Sequence, residues 1–87
     1  MSEAGLLTYK EHLYWQLVKS SFHYVYIITS KPDKIRHYTG LTKDLEARLD
    51  AHNTDQVAHT SKHRPWFLET AIAFRSRKKA VELEKYL

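Results

Sequence analysis

The stretch YVYIITSKPDKIRHYTGLTKDLEARLDAHN, residues 24–53, decides how this chain folds. Its first six residues, Tyr24 to Thr29, are dense in β-branched and aromatic side chains, which fit a pleated, half-buried surface. Ser30, Lys31, Pro32 and Asp33 then supply turn chemistry, and the chain returns through His37 to Gly40. That pattern predicts a β-hairpin. Thr42 is placed to cap a helix opening at Lys43, Asp44 and Leu45, and Asp44 complements a helix N-terminus. The helix should run to about Asn53, where Asn53 and Thr54 end it.

Downstream, residues 54–65 are polar and irregular and are closed by Pro65, which pushes Arg64 toward extended geometry. A loop or a short helix fits there. From Trp66 the chain alternates, Trp66, Leu68, Thr70, Ile72 and Phe74 against Phe67, Glu69, Ala71, Ala73 and Arg75, the period of a third strand. Ser76 suits the N-cap of a final helix whose apolar stripe is Ala80, Leu83 and Leu87. Upstream, Leu6, Tyr9, Leu13 and Leu17 recur at steps of three and four beside Leu7, Tyr14 and Val18, predicting an amphipathic helix over residues 6–20. Its apolar arc is wide and has Trp15 nearby, so it needs cover from the rest of the domain or from a second copy. No internal repeat, low-complexity tract or flexible linker interrupts the chain.

At 87 residues only one core is available. With 43% hydrophobic, 13% aromatic and 28% charged residues the chain should fold rather than stay disordered. Two glycines, Gly5 and Gly40, are too few for a phosphate-cradling loop, which removes the nucleotide-binding fingerprints. The lack of cysteine excludes disulfide scaffolds, thiol nucleophiles and Cys-ligated zinc fingers, and it fits a reducing, cytoplasmic setting. No apolar run exceeds the five residues Tyr24 to Ile28, and Met1 to Leu7 carries Glu3 rather than a basic region. Membrane-spanning and secretory readings therefore fail, and a soluble chain is expected. Fourteen Lys and Arg against ten Asp and Glu leave a formal charge of +4, which favours a polyanionic partner.

Helical geometry sharpens the choice of polar residues. With Leu45 at zero and about 100° per residue, Leu49 falls at about 40°, His52 at about −20° and Arg48 at about −60°. Arg48 and His52 thus flank the buried face, either as a snorkelling cation and a satisfied interior histidine or as parts of a site. On the final helix the same construction turns Glu84 inward and Glu82 outward. An inward carboxylate in the last turn opposes the helix dipole and loses hydration, so it requires an arginine, a hydrogen-bond donor or a metal. Tyr24 and Tyr26 share one strand face, with Tyr38 across the hairpin. Such tyrosines serve packing, or else a hydroxyl near Arg48 ionises more easily than usual and acts as a base. Basic residues gather at Lys62, His63 and Arg64 and at Arg75, Arg77, Lys78 and Lys79, either as a solvated face or as phosphate contacts. Trp66 suits the core or a stacked base. His52, His59 and His63 form only a weak zinc signal.

Tyr24-Val25-Tyr26, Tyr38-Thr39-Gly40, Arg48, His52 and Glu84, in this order and spacing, resemble the GIY-YIG nuclease domain, particularly its small stand-alone members. The stretches YTGLTKDLEARLDAHN, TSKHRPWFLE and KAVELEKYL extend the likeness over residues 24–87. Tyr24 stands where the motif usually has glycine. The resemblance implies an α+β domain, a three-stranded antiparallel sheet flanked by helices, with residues 1–23 as an N-terminal helical extension packed on it. It also implies a metal-dependent endonuclease that hydrolyses DNA to 5′-phosphate and 3′-hydroxyl ends, with a place in DNA repair or recombination.

In the family's pattern the residue matching Tyr26 is the general base or water holder and the one matching Tyr38 assists it. Arg48 matches the arginine that steadies the scissile phosphate, His52 a further site position, and Glu84 the ligand of a single divalent ion, Mg2+ or Mn2+. Lys62, His63, Arg64, Arg75, Arg77, Lys78 and Lys79 are expected to contact DNA. Two other readings compete: a GIY-YIG-like module that binds nucleic acid with little or no turnover, and a protein-interaction domain or homodimer built on the aromatic N-terminal helix.

Overall fold

A computed structural model of the chain describes residues 7–54 and 56–87; Leu6, counted above in the first helix, lies outside them. The elements run α1 (Tyr9–Ser20), β1 (His23–Ser30), β2 (His37–Thr42), α2 (Leu45–His52), α3 (Ala58–Ser61), β3 (Trp66–Phe74) and α4 (Arg77–Tyr86). The three strands form one antiparallel sheet in the order β2-β1-β3. This is the α+β arrangement expected.

β1 is the central strand, and Val25, Tyr26, Ile28, Thr29 and Ser30 are all buried. A strand covered on both faces reads as a continuous apolar run, which is how Tyr24 to Thr29 reads. Tyr26 pairs with Gly40 of β2 and with Ala71 of β3. A register shift between Ile27 and Ile28 moves the β3 partner from Thr70 to Leu68, so Glu69 lies opposite neither. Its carboxylate accepts the Thr29 hydroxyl at 3.1 Å. The core gathers Tyr26, Ile28 and Trp66, with Tyr38, Leu45 and Leu49 packed against them.

β3 keeps the expected strand but buries only Trp66, while Phe67, Leu68 and Ile72 remain exposed. It is the edge strand beside β1, and of its residues Phe74 alone besides Trp66 is partly buried. The Trp66 indole N–H donates to the Thr60 carbonyl at 2.7 Å, as a buried tryptophan needs. Trp66 is therefore a core residue rather than a stacking platform.

The cap of α2 falls two residues later than the sequence suggests. Thr42 is still in β2, paired with Tyr24, so its hydroxyl accepts the Asp44 amide at 3.1 Å instead. Asp44 takes the cap and its carboxylate accepts the Ala47 amide at 3.1 Å. At the other end Asn53 does more than stop the helix. Its side chain accepts the Trp66 amide at 2.6 Å and donates to the Trp66 carbonyl at 3.0 Å, tying α2 to the start of β3. α4 is capped by Ser76, and Ala80 is its buried residue. Leu87 lies past the last turn and is 56% exposed, so it does not complete the stripe with Ala80 and Leu83.

α1 opens on a reciprocal capping box between Thr8 and Glu11. None of its residues is buried, and Tyr9, Leu13, Tyr14, Trp15 and Leu17 are exposed. Its C-terminal end meets the sheet where the Tyr24 hydroxyl donates to the Lys19 carbonyl at 2.9 Å. Among the described residues no helix is long and apolar enough to cross a membrane.

Candidate active site

The hairpin and α2 bring four of the expected residues together. Tyr26 and Tyr38 point from adjacent strands to one face of the sheet, because Tyr38 pairs with Ile28, two residues from Tyr26. Arg48 and His52, four apart on α2, present neighbouring positions to that face. The Tyr26 hydroxyl lies 2.9 Å from His52 Nε2 and accepts Arg48 Nε–H at 3.3 Å. The Tyr38 ring packs between two imidazoles, with centroids 4.8 Å from His52 and 5.3 Å from His59. Tyr24 is outside this cluster, its hydroxyl being spent on Lys19.

Gly40 has a steric reason to be there. A Cβ at that position would run into the hydroxyl and ring of Tyr26, its cross-strand partner, so the tyrosine lies flat over the glycine backbone.

Electrostatics correct one expectation. Arg48 does favour the Tyr26 phenolate, yet burial outweighs it, and with the negative charge of Glu84 among the lesser contributions the net effect raises the Tyr26 pKa. Tyr26 rests as a neutral phenol. The Arg48 guanidinium is held more firmly cationic, first by its hydrogen bond to Tyr26. His52 has no exposed surface and its pKa is pulled down from 6.5 to about 4, by burial first and then by Arg48 and His59. It is a neutral imidazole at neutral pH.

Glu84 sits half-buried on α4 and makes no ion pair among the described residues, where Arg36–Asp33 at 3.4 Å is the one such pair. Its charge nevertheless reaches Tyr26. No three His, Asp or Glu side chains among the described residues converge on a point, so a metal held by Glu84 would have at most one further such side chain as a ligand. That donor set suits Mg2+, which keeps several waters of its own. The three-histidine zinc arrangement is overturned on chemistry: both ring nitrogens of His52 are already engaged, one by Tyr26 and one by Thr60.

Of the basic residues, Lys62, Arg64, Arg77, Lys78 and Lys79 are exposed. Arg75 is exposed as well but lays its guanidinium over the Phe22 ring, 5.0 Å from the centroid. His63 is depressed below its usual pKa, by lost hydration and then by Arg36 and Lys62, so it adds no charge at neutral pH. One participant escaped the sequence reading, and another entered it only through the weak zinc signal. Thr60, 2% exposed, places its hydroxyl 2.8 Å from His52 Nδ1, and His59 flanks Tyr38. Thr60 stands at no periodic position that would have singled it out, and the four-residue step from His59 to His63 pointed to zinc rather than to Tyr38.

Comparison with known proteins gives the family. Residues 22–87 match the family described as GIY-YIG catalytic domain. A UPF0213 protein of Staphylococcus haemolyticus is 38% identical over 63 residues, covering 71% of this chain and 74% of that protein. No solved structure matches the chain. With its sheet order, its Tyr26–Arg48–His52 cluster and a family match running from Phe22 to the last residue, this chain is a small member of the GIY-YIG nuclease family.

Proposed function

We propose that the chain is a divalent-metal-dependent endonuclease that hydrolyses DNA phosphodiesters to 5′-phosphate and 3′-hydroxyl ends. The observation carrying this is the Tyr26 hydroxyl held between a guanidinium and a neutral imidazole. Tyr26 passes its proton to His52, and the resulting phenolate, stabilised by Arg48, takes a proton from the attacking water. The hydroxide forms the new bond to phosphorus as the bond to the 3′-oxygen breaks. The leaving oxygen collects a proton from solvent and the imidazolium returns one to solvent, so protons balance.

Arg48 also neutralises charge developing on the phosphoryl oxygens, and Tyr38 screens the pair from water. Glu84 would hold the divalent ion, whose contribution is Lewis-acid stabilisation of the phosphoryl oxygens and the leaving alkoxide. Lys62, Arg64, Arg77, Lys78 and Lys79 would track the DNA backbone, with Arg75 at the margin. A module that binds DNA without turnover is the second reading, and the raised pKa of Tyr26 favours it.

Cleavage of supercoiled, single-stranded and branched DNA with magnesium or manganese tests the choice. The parent should cut, and Glu84→Gln and Arg48→Ala should each lose about 10²-fold or more in rate. A parent that binds DNA but cuts none of these substrates would select the binding module.

A further inference from the structure

We infer that Thr60 is a positioning residue: its hydroxyl selects the His52 tautomer in which the bare nitrogen faces Tyr26. The consequence for turnover rests on the nuclease reading, but the geometry does not. Thr60 is buried on α3, outside the helices and strands that carry Tyr26, Tyr38, Arg48, His52 and Glu84.

The hydrogen-bond directions can be assigned from both ends. The Tyr26 hydroxyl has two partners among the described residues, Arg48 Nε at 3.3 Å and His52 Nε2 at 2.9 Å. A guanidinium only donates, so the phenolic hydrogen has His52 Nε2 as its acceptor. A neutral imidazole carries one N–H, which leaves that hydrogen on Nδ1. Nδ1 lies 2.8 Å from Thr60 Oγ1, which must then accept, and the Thr60 hydroxyl hydrogen goes to the Val57 carbonyl at 3.3 Å. A carbonyl only accepts, so the far end closes consistently. The chain runs Arg48 to Tyr26 to His52 to Thr60 to Val57, each group donating to the next. The low pKa of His52 agrees, since the chain has no place for a doubly protonated ring at rest.

Thr60 thus does from behind what an orienting acceptor does for any histidine base. With a hydrocarbon in its place, Nδ1 loses its acceptor and the ring is free to carry its hydrogen on Nε2. Tyr26 would then receive a hydrogen bond from His52 and have nowhere to send its proton.

The test is a long-range proton–nitrogen correlation spectrum of the His52 ring in the substrate-free protein, for the parent, Thr60→Ser and Thr60→Val. The parent and Thr60→Ser should show hydrogen on Nδ1, and Thr60→Val should move it wholly or partly to Nε2. In cleavage assays kcat should fall by about 10²- to 10⁴-fold in Thr60→Val, the range for a histidine base in the wrong tautomer, and recover in Thr60→Ser with KM steady. Hydrogen on Nε2 in the parent, or an unchanged ring in Thr60→Val, overturns the inference. If Thr60→Val does not fold, the parent and Thr60→Ser spectra decide it alone. A parent with hydrogen on Nδ1 that cuts no DNA would sink the nuclease reading while the tautomer assignment stands.

Discussion

His52 should make the fold sensitive to mild acid. Its imidazole has no exposed surface and a pKa near 4 in the folded chain, against 6.5 when unfolded. Between those values the unfolded chain binds more protons, so stability rises with pH across the window. The contribution is complete above 6.5 and is lost as pH falls toward about 4. At about 1.36 kcal/mol per pH unit, the gap from 6.5 to about 4 amounts to at most about 3 kcal/mol. A chain of 87 residues has roughly 4–13 kcal/mol in all, so this loss is a large share. Urea unfolding of the parent and His52→Gln from about pH 7.5 to about pH 4 separates this histidine from the other titrating groups. The glutamine variant starts less stable, but its curve against pH should be flatter, the two lines closing by up to about 3 kcal/mol at the acid end. Parallel lines, or a His52 ring that titrates near 6.5 by NMR, would refute the reasoning.

Three further outcomes are expected. Gly40→Ala should cost about 1–3 kcal/mol in urea unfolding because Tyr26 must move off the strand, and cleavage should fall with it; an unchanged midpoint would mean the ring has room the structure does not show. Deleting residues 1–20 removes no buried side chain among the described residues, so unfolding free energy should change by no more than about 1 kcal/mol, mainly for the Tyr24–Lys19 bond. A larger loss, or a shift in oligomeric state by sedimentation, would show that the apolar side chains of α1 are covered in solution. Replacing Arg77, Lys78 and Lys79 together by alanine should lower the slope of log affinity against log salt by about 0.7–0.9 for each phosphate contact removed, and an unchanged slope would take this cluster off the DNA path.

Local periodicity made much of the architecture legible. The β1 run, the alternation from Trp66, the Ser76 cap and the inward turn of Arg48 and His52 all follow from neighbours within a few residues, because strand and helix periods are local properties. The motif order around Tyr26, Tyr38 and Gly40 likewise indicated the family.

What the tertiary structure decided depends on which surfaces close over which. Thr60 meets His52 across a connection with no period of its own, so nothing in its sequence setting marks it. The reason for Gly40 appears only once the register places it under the Tyr26 ring. The sign of the Tyr26 shift turned on burial against a guanidinium contact, a balance between distant segments. α1 is the reverse case. Its amphipathic pattern belongs to the sequence, while the exposure of its apolar side chains belongs to the fold, because periodicity sets which face a helix offers and only packing decides whether anything covers it.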